Sequence, residues 1–248
     1  MSNVEPLDFS TLLASSVHDM KNSIGMLLHL VAQMEAQADG ESQQFGQLNF
    51  EINRLNNYLI QMMTLYKLEQ RQYRSELVEH YLDDFIEDLV LMNRPLLESR
   101  GVEVEQQVNE QLSWEFDGQL VNGVISTILT NVIRYAEGRV LISAERVRIS
   151  ADCIQLSANE EGASYLCIRV EDDGKGFPEK MLGKLDLVPM GVDFVSGSTG
   201  FGLYFAQTVA QLHRRIQSPD QPDSALQGFV ELSNDSSLGG GCFRLFLP

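Results

Sequence analysis

Apolar residues recur near the start of the chain at alternating spacings of four and three: Leu13, Val17, Met20, Ile24, Leu27, Val31 and Met34. That period lays one narrow apolar seam along a helix. The polar turn Asp39-Gly40-Glu41-Ser42 interrupts it, and it resumes at Leu48, Ile52, Leu55, Leu59, Met62 and Tyr66, so residues 1–72 read as a helical hairpin. Two such helices bury their seams only partly against each other. Pairing two hairpins into a four-helix bundle completes the burial, which predicts a homodimer.

From Tyr73 the seam fades, and 73–248 reads as helices alternating with strands. Ser75-Glu76-Leu77-Val78 is expected as an entry strand, Tyr81 to Ser99 as a helix with Leu82, Phe85, Ile86 and Leu89 on one face, and Val102-Glu103-Val104 as a strand after Gly101. Asp117 is the expected N-cap of a long helix that turns Leu120, Val124, Ile128, Leu129, Val132 and Ile133 inward. Tyr165 to Val170 alternates as a strand, and a second apolar helix is expected from near Leu203. The fold class is therefore α+β, with two domains, 1–72 and 73–248.

Composition narrows the function classes. Hydrophobic residues make up 44% and charged residues 21% of 248, enough for a packed core. A formal net charge of -17, with no basic stripe to offset it, disfavours a nucleic-acid partner and an anionic membrane surface. Cys153, Cys167 and Cys242 lie far apart without metal or disulfide spacing, so buried reduced thiols are expected. No apolar run reaches bilayer-spanning length, and the first residues lack a signal-peptide pattern. A cytoplasmic chain without membrane insertion is expected, with its signal arriving from a separate upstream sensor protein unless the sequence is part of a longer sensor.

Four chemical groups stand in a fixed order: His18-Asp19-Met20-Lys21-Asn22 on the first helix, Asn131 on the long helix, Asp172-Asp173-Gly174-Lys175-Gly176 after a strand, and Gly200-Phe201-Gly202 before the last helix. His18 follows the seam position Val17, so its imidazole is expected at the bundle edge, where a phosphoacceptor must be exposed. Neutral imidazole leaves one nitrogen free to attack phosphorus. Asn22, four residues on, shares the face of His18. Asn131 in an apolar stretch needs a partner if buried. Glycines let a backbone pass close to a neighbouring group without a Cβ, and N–H groups at a helix start suit phosphates. His29, His80 and His213 are read as solvated side chains. A calcium loop is rejected because it would put Arg169 and Lys180 at ligand positions, a Walker A because Leu185 follows Gly183-Lys184, and a Rossmann turn because Phe205 holds the third glycine position.

These boxes, in this order, resemble the H, N, G1 and G2 boxes of the bacterial sensor histidine kinases, and the resemblance covers nearly the whole chain. It implies a hairpin that dimerises and carries the phosphoacceptor, followed by an α/β sandwich of the GHKL (Bergerat) ATP-binding type. It implies that His18 is phosphorylated from ATP and passes the group to an aspartate on a response regulator receiver domain, with Asp19 as the acid holding the imidazole. Asn22 would orient a water for the reverse, phosphatase reaction, a plain surface role being the alternative. By the same resemblance Asn131 holds Mg2+, Arg134 lies near the phosphates, Asp172 accepts from the adenine amino group, and Tyr135, Gly174, Gly176, Gly200, Gly202 and Leu203 complete the nucleotide site. Departures are Ser23 where proline is usual, Thr127 where a first asparagine is common, no clear aromatic box in the expected lid from Glu179 to Val195, and an extra polar segment near Ser218 to Gln227. The rival reading is a non-catalytic phosphotransfer protein with a degenerate nucleotide domain.

Overall fold

The computed structural model describes residues 20, 22–31, 34, 43–150, 153–155, 163–185, 201–215 and 225–248. The chain divides into two compact units, Met1–Arg74 and Ser75–Pro248. Leu13, Val17, His18, Asp19 and Gly200 lie outside the described residues, as do residues 186–195 of the expected lid and 218–224 of the polar segment.

In the first unit, helix α1 (22–31) and helix α2 (Gln43–Glu69) share a buried cluster of Ile24, Val31 and Ile52, with Leu28 and Leu59 against it. The single expected seam splits into two lines. Residues seven apart, Ile24 and Val31, are buried, whereas the interleaved Met20, Leu27 and Met34 are exposed, as are Leu48 and Leu55 on α2. Leu27 and Leu55 keep 48% and 50% of their surface, so the hairpin alone leaves half of its apolar pattern uncovered. The end of α2 is closed by Arg71 at φ 54°, with Gln72 N–H donating to Lys67 O and Arg71 N–H to Leu68 O. This is a Schellman stop with arginine where glycine is usual.

The second unit is built on a sheet with strand order β2-β4-β6-β11-β10-β7, in which β5 pairs with β4. Its strands are β2 (Glu103–Val108), β4 (Arg139–Ser150), β5 (Cys153–Gln155), β6 (Ala163–Asp172), β7 (Gly183–Lys184), β10 (Phe229–Ser233) and β11 (Cys242–Leu247). The β2–β4 pair is parallel and the others antiparallel. Strand β1 (Val78–Tyr81) pairs with β3 (Ser113–Phe116), and β8 (Arg214–Arg215) with β9 (Leu226–Gln227). Among the described residues three α-helices complete it: α3 (Leu82–Arg100), α4 (Gly118–Tyr135) and α5 (Phe201–Leu212). Helix α4 packs on β6, and α5 on β10 and β11.

Strand β6, expected from the alternation of Tyr165 to Val170, is buried on both of its faces. Its even positions Leu166, Ile168 and Val170 are buried together with Leu245, Phe243 and Ile142 from the flanking strands. Its odd positions Tyr165 and Cys167 join Val147, Phe229 and Phe246 in a separate buried cluster, so this part of the sheet is covered on both faces. Burial pushes the Cys167 thiol up to about 12 and Cys242 up to about 11, so both are inert reduced thiols, as expected.

Several expectations need correction. The entry strand begins at Val78; residues 75–77 have no regular structure, because Glu76 N–H is drawn to Asp117 Oδ2 at 3.1 Å. Tyr81 is the N-cap of α3 rather than its first residue, and Gly101 at φ 63° closes it. His29 is exposed, but His80 packs between Phe85 and Phe116 with ring centroids 5.5 and 4.5 Å away, and His213 is buried. The first part of the expected lid forms a 3-10 turn (Glu179–Met181) and edge strand β7, which pairs with β10. Among the described residues, no helix is long and apolar enough to cross a membrane.

Candidate nucleotide site

The site is assembled from both ends of an antiparallel helix pair. Asp117 caps α4: Oδ1 accepts from Leu120 N–H at 3.0 Å, while its own N–H donates to His213 Nε2 at 3.0 Å, beyond the end of α5. At the opposite end, a Cβ on Gly202 would meet Thr127 Cγ2 at 2.8 Å and Asn131 Nδ2 at 3.5 Å. Gly202 therefore lets the start of α5 rest on the last turns of α4. Thr127 spends its hydroxyl on Gly123 O at 2.7 Å. Asn131 on α4 is half-buried, as is Leu203, which follows Gly202 on α5, whereas Arg134 and Tyr135 are exposed, the guanidinium 5.5 Å from the Tyr135 ring centroid.

Strand β6 delivers the acidic loop to the C-terminal end of α4. Asp172 is only 6% exposed. Its Oδ1 accepts from Gly174 N–H at 2.8 Å and Gly241 N–H at 3.3 Å; among the described residues Oδ2 accepts nothing. Burial pushes the Asp172 carboxyl above its ordinary range, against those two backbone bonds. The outcome is a buried carboxylate with one oxygen held and one free to accept from a ligand.

The glycines of this loop first serve protein contacts. A Cβ on Gly174 would strike Tyr135 O, and one on Gly176, which sits at φ 74°, would meet Asn234 Oδ1 at 2.6 Å. The loop is thus wedged between the end of α4 and the β10–β11 connection.

Residues that sequence reasoning missed do the wedging. Asp173 accepts from Glu137 and Gly138 N–H through Oδ1 (2.8 and 3.1 Å) and from Arg139 N–H through Oδ2 (3.1 Å), tying the loop to the turn after α4. Burial raises its carboxyl, but these bonds outweigh that and hold it below the ordinary value. On the other side Ser236 Oγ and Gly240 N–H donate to Asp172 O, and Ser237 N–H and Oγ donate to Glu171 at 2.6 and 3.0 Å. Asn234 accepts from Phe177 N–H at 2.7 Å and donates to Phe177 O at 2.9 Å. The local signal was the turn-forming run Asn234-Asp235-Ser236-Ser237 before three glycines, but its partners lie far away in sequence.

Among the described residues no group of three His, Cys, Asp or Glu is placed to hold a metal ion. A magnesium ion at Asn131 fits only as one carried in with phosphate oxygens and water, which is how that ion is commonly held. Asn22 is exposed on α1.

A sheet backed by helices carries a buried carboxylate at the end of one strand, and Gly202 opens the helix that rests on the last turns of α4. Residues 117–248, more than half of the chain, match the family described as histidine kinase-, DNA gyrase B-, and HSP90-like ATPase, and the chain belongs to that family. Two curated relatives are the sensor histidine kinase AruS of Pseudomonas aeruginosa, 24% identical over 82% of this chain and 20% of its own length, and the sensor histidine kinase GraS of Staphylococcus haemolyticus, 24% identical over 79% and 53%. The chain thus spans about a fifth and about half of these relatives. The Acinetobacter baumannii histidine kinase AdeS shares the fold, with TM-score 0.53, 15% identity, and coverage of 93% of this chain and 96% of that one. The resemblance to sensor histidine kinases and the α+β, GHKL-type fold are borne out.

Proposed function

We propose that this chain is an ATP-dependent protein histidine kinase of a two-component system. The observation that carries the reading is Asp172: a buried carboxylate, fixed through Oδ1 by two backbone N–H groups, whose Oδ2 is left to accept from the adenine amino group. The ordered loop around it favours a working nucleotide site over a degenerate one. Arg134, Tyr135, Gly174, Gly176, Gly200, Gly202 and Leu203 complete the site in this reading. Asn131 would hold magnesium, which when bound would neutralise charge on the phosphates.

In the transfer step one imidazole nitrogen of His18 forms a bond to the γ-phosphorus, the bond from that phosphorus to the β,γ-bridging oxygen breaks, and ADP leaves. Asp19 holds the proton on the other ring nitrogen. The phosphoryl group then passes to an aspartate of a response regulator receiver domain. Asn22, exposed on α1, is available to orient a water in the reverse, phosphatase reaction. In this scheme 1–72 dimerises and carries the acceptor, 73–248 binds ATP, a separate upstream sensor supplies the signal, and the reaction takes place in the cytoplasm, where ATP is available. The exposed line of Met20, Leu27, Met34, Leu48 and Leu55 supports the dimer, since a second hairpin would cover it.

The test is incubation with γ-labelled ATP and magnesium. His18→Ala is expected to abolish labelling with ATP affinity unchanged, and Asp172→Asn to weaken ATP binding, because an amide can present a donor where an acceptor is needed. Label surviving in His18→Ala, or parent affinity in Asp172→Asn, would contradict the reading.

A further inference from the structure

We propose that Asn234 is a positioning residue for the nucleotide loop: its side-chain amide clamps both backbone groups of Phe177 and so fixes the Asp172–Phe177 turn before ATP arrives. The proposal rests on the reading of Asp172 as the adenine acceptor and extends it to a residue outside the four boxes. The clamp mimics one rung of a β ladder, with Oδ1 accepting from Phe177 N–H at 2.7 Å and Nδ2 donating to Phe177 O at 2.9 Å.

Three observations favour a specific device over a chance surface contact. First, Gly176 stands at φ 74° directly under the amide, and a Cβ there would meet Oδ1 at 2.6 Å, so the glycine permits the clamp. Second, the clamped residue borders the acceptor: a Cβ on Gly241 would meet Phe177 Cε2 at 2.8 Å and Asp172 Oδ2 at 3.0 Å, which places the Phe177 ring beside the free carboxylate oxygen. Third, Asn234 begins the same connection whose Ser236 and Gly240 hold Asp172 O and whose Gly241 N–H holds Oδ1. One short segment therefore positions both the acceptor and the ring next to it.

Asn234 is itself exposed, so losing it leaves the apolar core untouched. What it changes is the fraction of molecules whose loop is already arranged for adenine, and apparent affinity scales with that fraction. Two exposed hydrogen bonds at the low end of their net worth correspond to roughly a fivefold change in the balance between arranged and unarranged loops, inside a three- to tenfold range.

The experiment uses the full chain and its Asn234→Ala and Asn234→Asp variants. Affinity for ATP and ADP is measured by calorimetry, autophosphorylation against ATP concentration gives KM and maximal rate, and Phe177 amide exchange is followed directly. Asn234→Ala is expected to weaken ATP and ADP by the same factor, roughly three- to tenfold, to raise KM without lowering the maximal rate, and to speed exchange at Phe177. Asn234→Asp keeps the acceptor for Phe177 N–H and is expected to recover part of the affinity. Parent affinity in Asn234→Ala, no recovery in Asn234→Asp, or a lower maximal rate at unchanged KM would overturn the proposal while leaving the kinase reading intact. A parent chain that binds no ATP would overturn both. One that binds ATP without becoming labelled would sink only the kinase step, and the affinities would still decide the role of Asn234.

Discussion

Acid should loosen the nucleotide domain through His213, a residue with no part in phosphoryl transfer. It is 4% exposed, its Nε2 accepts from Asp117 N–H at 3.0 Å, and its Nδ1 faces Val209 O at 2.8 Å. A ring that accepts at Nε2 carries its proton on Nδ1 and donates it to the carbonyl, so the folded state holds a neutral imidazole. Burial lowers its pKa below the ordinary 6.5, the Val209 bond and the Asp117 charge opposing only in part. The unfolded chain therefore takes up the proton first. Stability from this site is complete above about pH 6.5 and falls as pH drops, at up to about 1.4 kcal/mol per pH unit, until the folded imidazole is also protonated. Between pH 6.5 and 5.5 the loss is at most about 1 kcal/mol, which moves a urea midpoint by at most roughly 1 M. Trp114 is the sole tryptophan and lies in the same unit, its Nε1 donating to Pro248 O, so its fluorescence reads this unfolding. In His213→Gln an amide can serve both partners without titrating, and the extra loss of midpoint between pH 6.5 and 5.5 should disappear. An identical pH response in parent and variant would refute the reasoning.

Asp173→Ala removes the acceptor of three backbone N–H groups and should cost about 2–4 kcal/mol in the Trp114 transition; a change below the scatter of the parent would show that water replaces the carboxylate. ATP affinity should fall on acidification at a higher pH than an ordinary carboxylate would allow, because burial raises Asp172 and a proton on Oδ2 would present a donor to the adenine amino group. Calorimetry across that range in parent and Asp172→Asn checks this, the variant losing the dependence. Leu55→Asp places a charge on the exposed apolar line of α2 and should dissociate the proposed dimer; sedimentation identical to the parent would remove that line from the proposed interface.

Local chemistry made much of this legible in advance. Asp117 and the inward positions of α4 follow from capping and a helical period, and both stand as expected. Strand β6 was found because alternation survives burial on both faces. The misplaced β1 shows the limit: Leu77 and Val78 have strand propensity, but a hydrogen bond between Glu76 and Asp117, far along the chain, decides where pairing begins. His213 failed for the same reason, since its partner is the N-cap of another helix. The boxes pointed to Asp172, Gly174 and Gly176, yet the residues that hold the loop, Asp173, Asn234 and Ser236 through side chains on backbone groups and Gly241 through its own N–H, leave no periodic trace. The seam of the hairpin was legible as apolar, but not its division into a buried and an exposed line, which depends on the direction from which α1 and α2 meet.

The proposed kinase reaction moves a phosphoryl group from ATP to His18. The most direct measurement is mass-spectrometric location of the phosphate after incubating the full chain with ATP and magnesium, paired with the acid and alkali stability of the label. The expected result is a single acid-labile, alkali-stable phosphate on the peptide containing His18, absent without magnesium and absent from Asp172→Asn at limiting ATP. An acid-stable phosphoester, or a phosphate on any other residue with His18 unmodified, would contradict it.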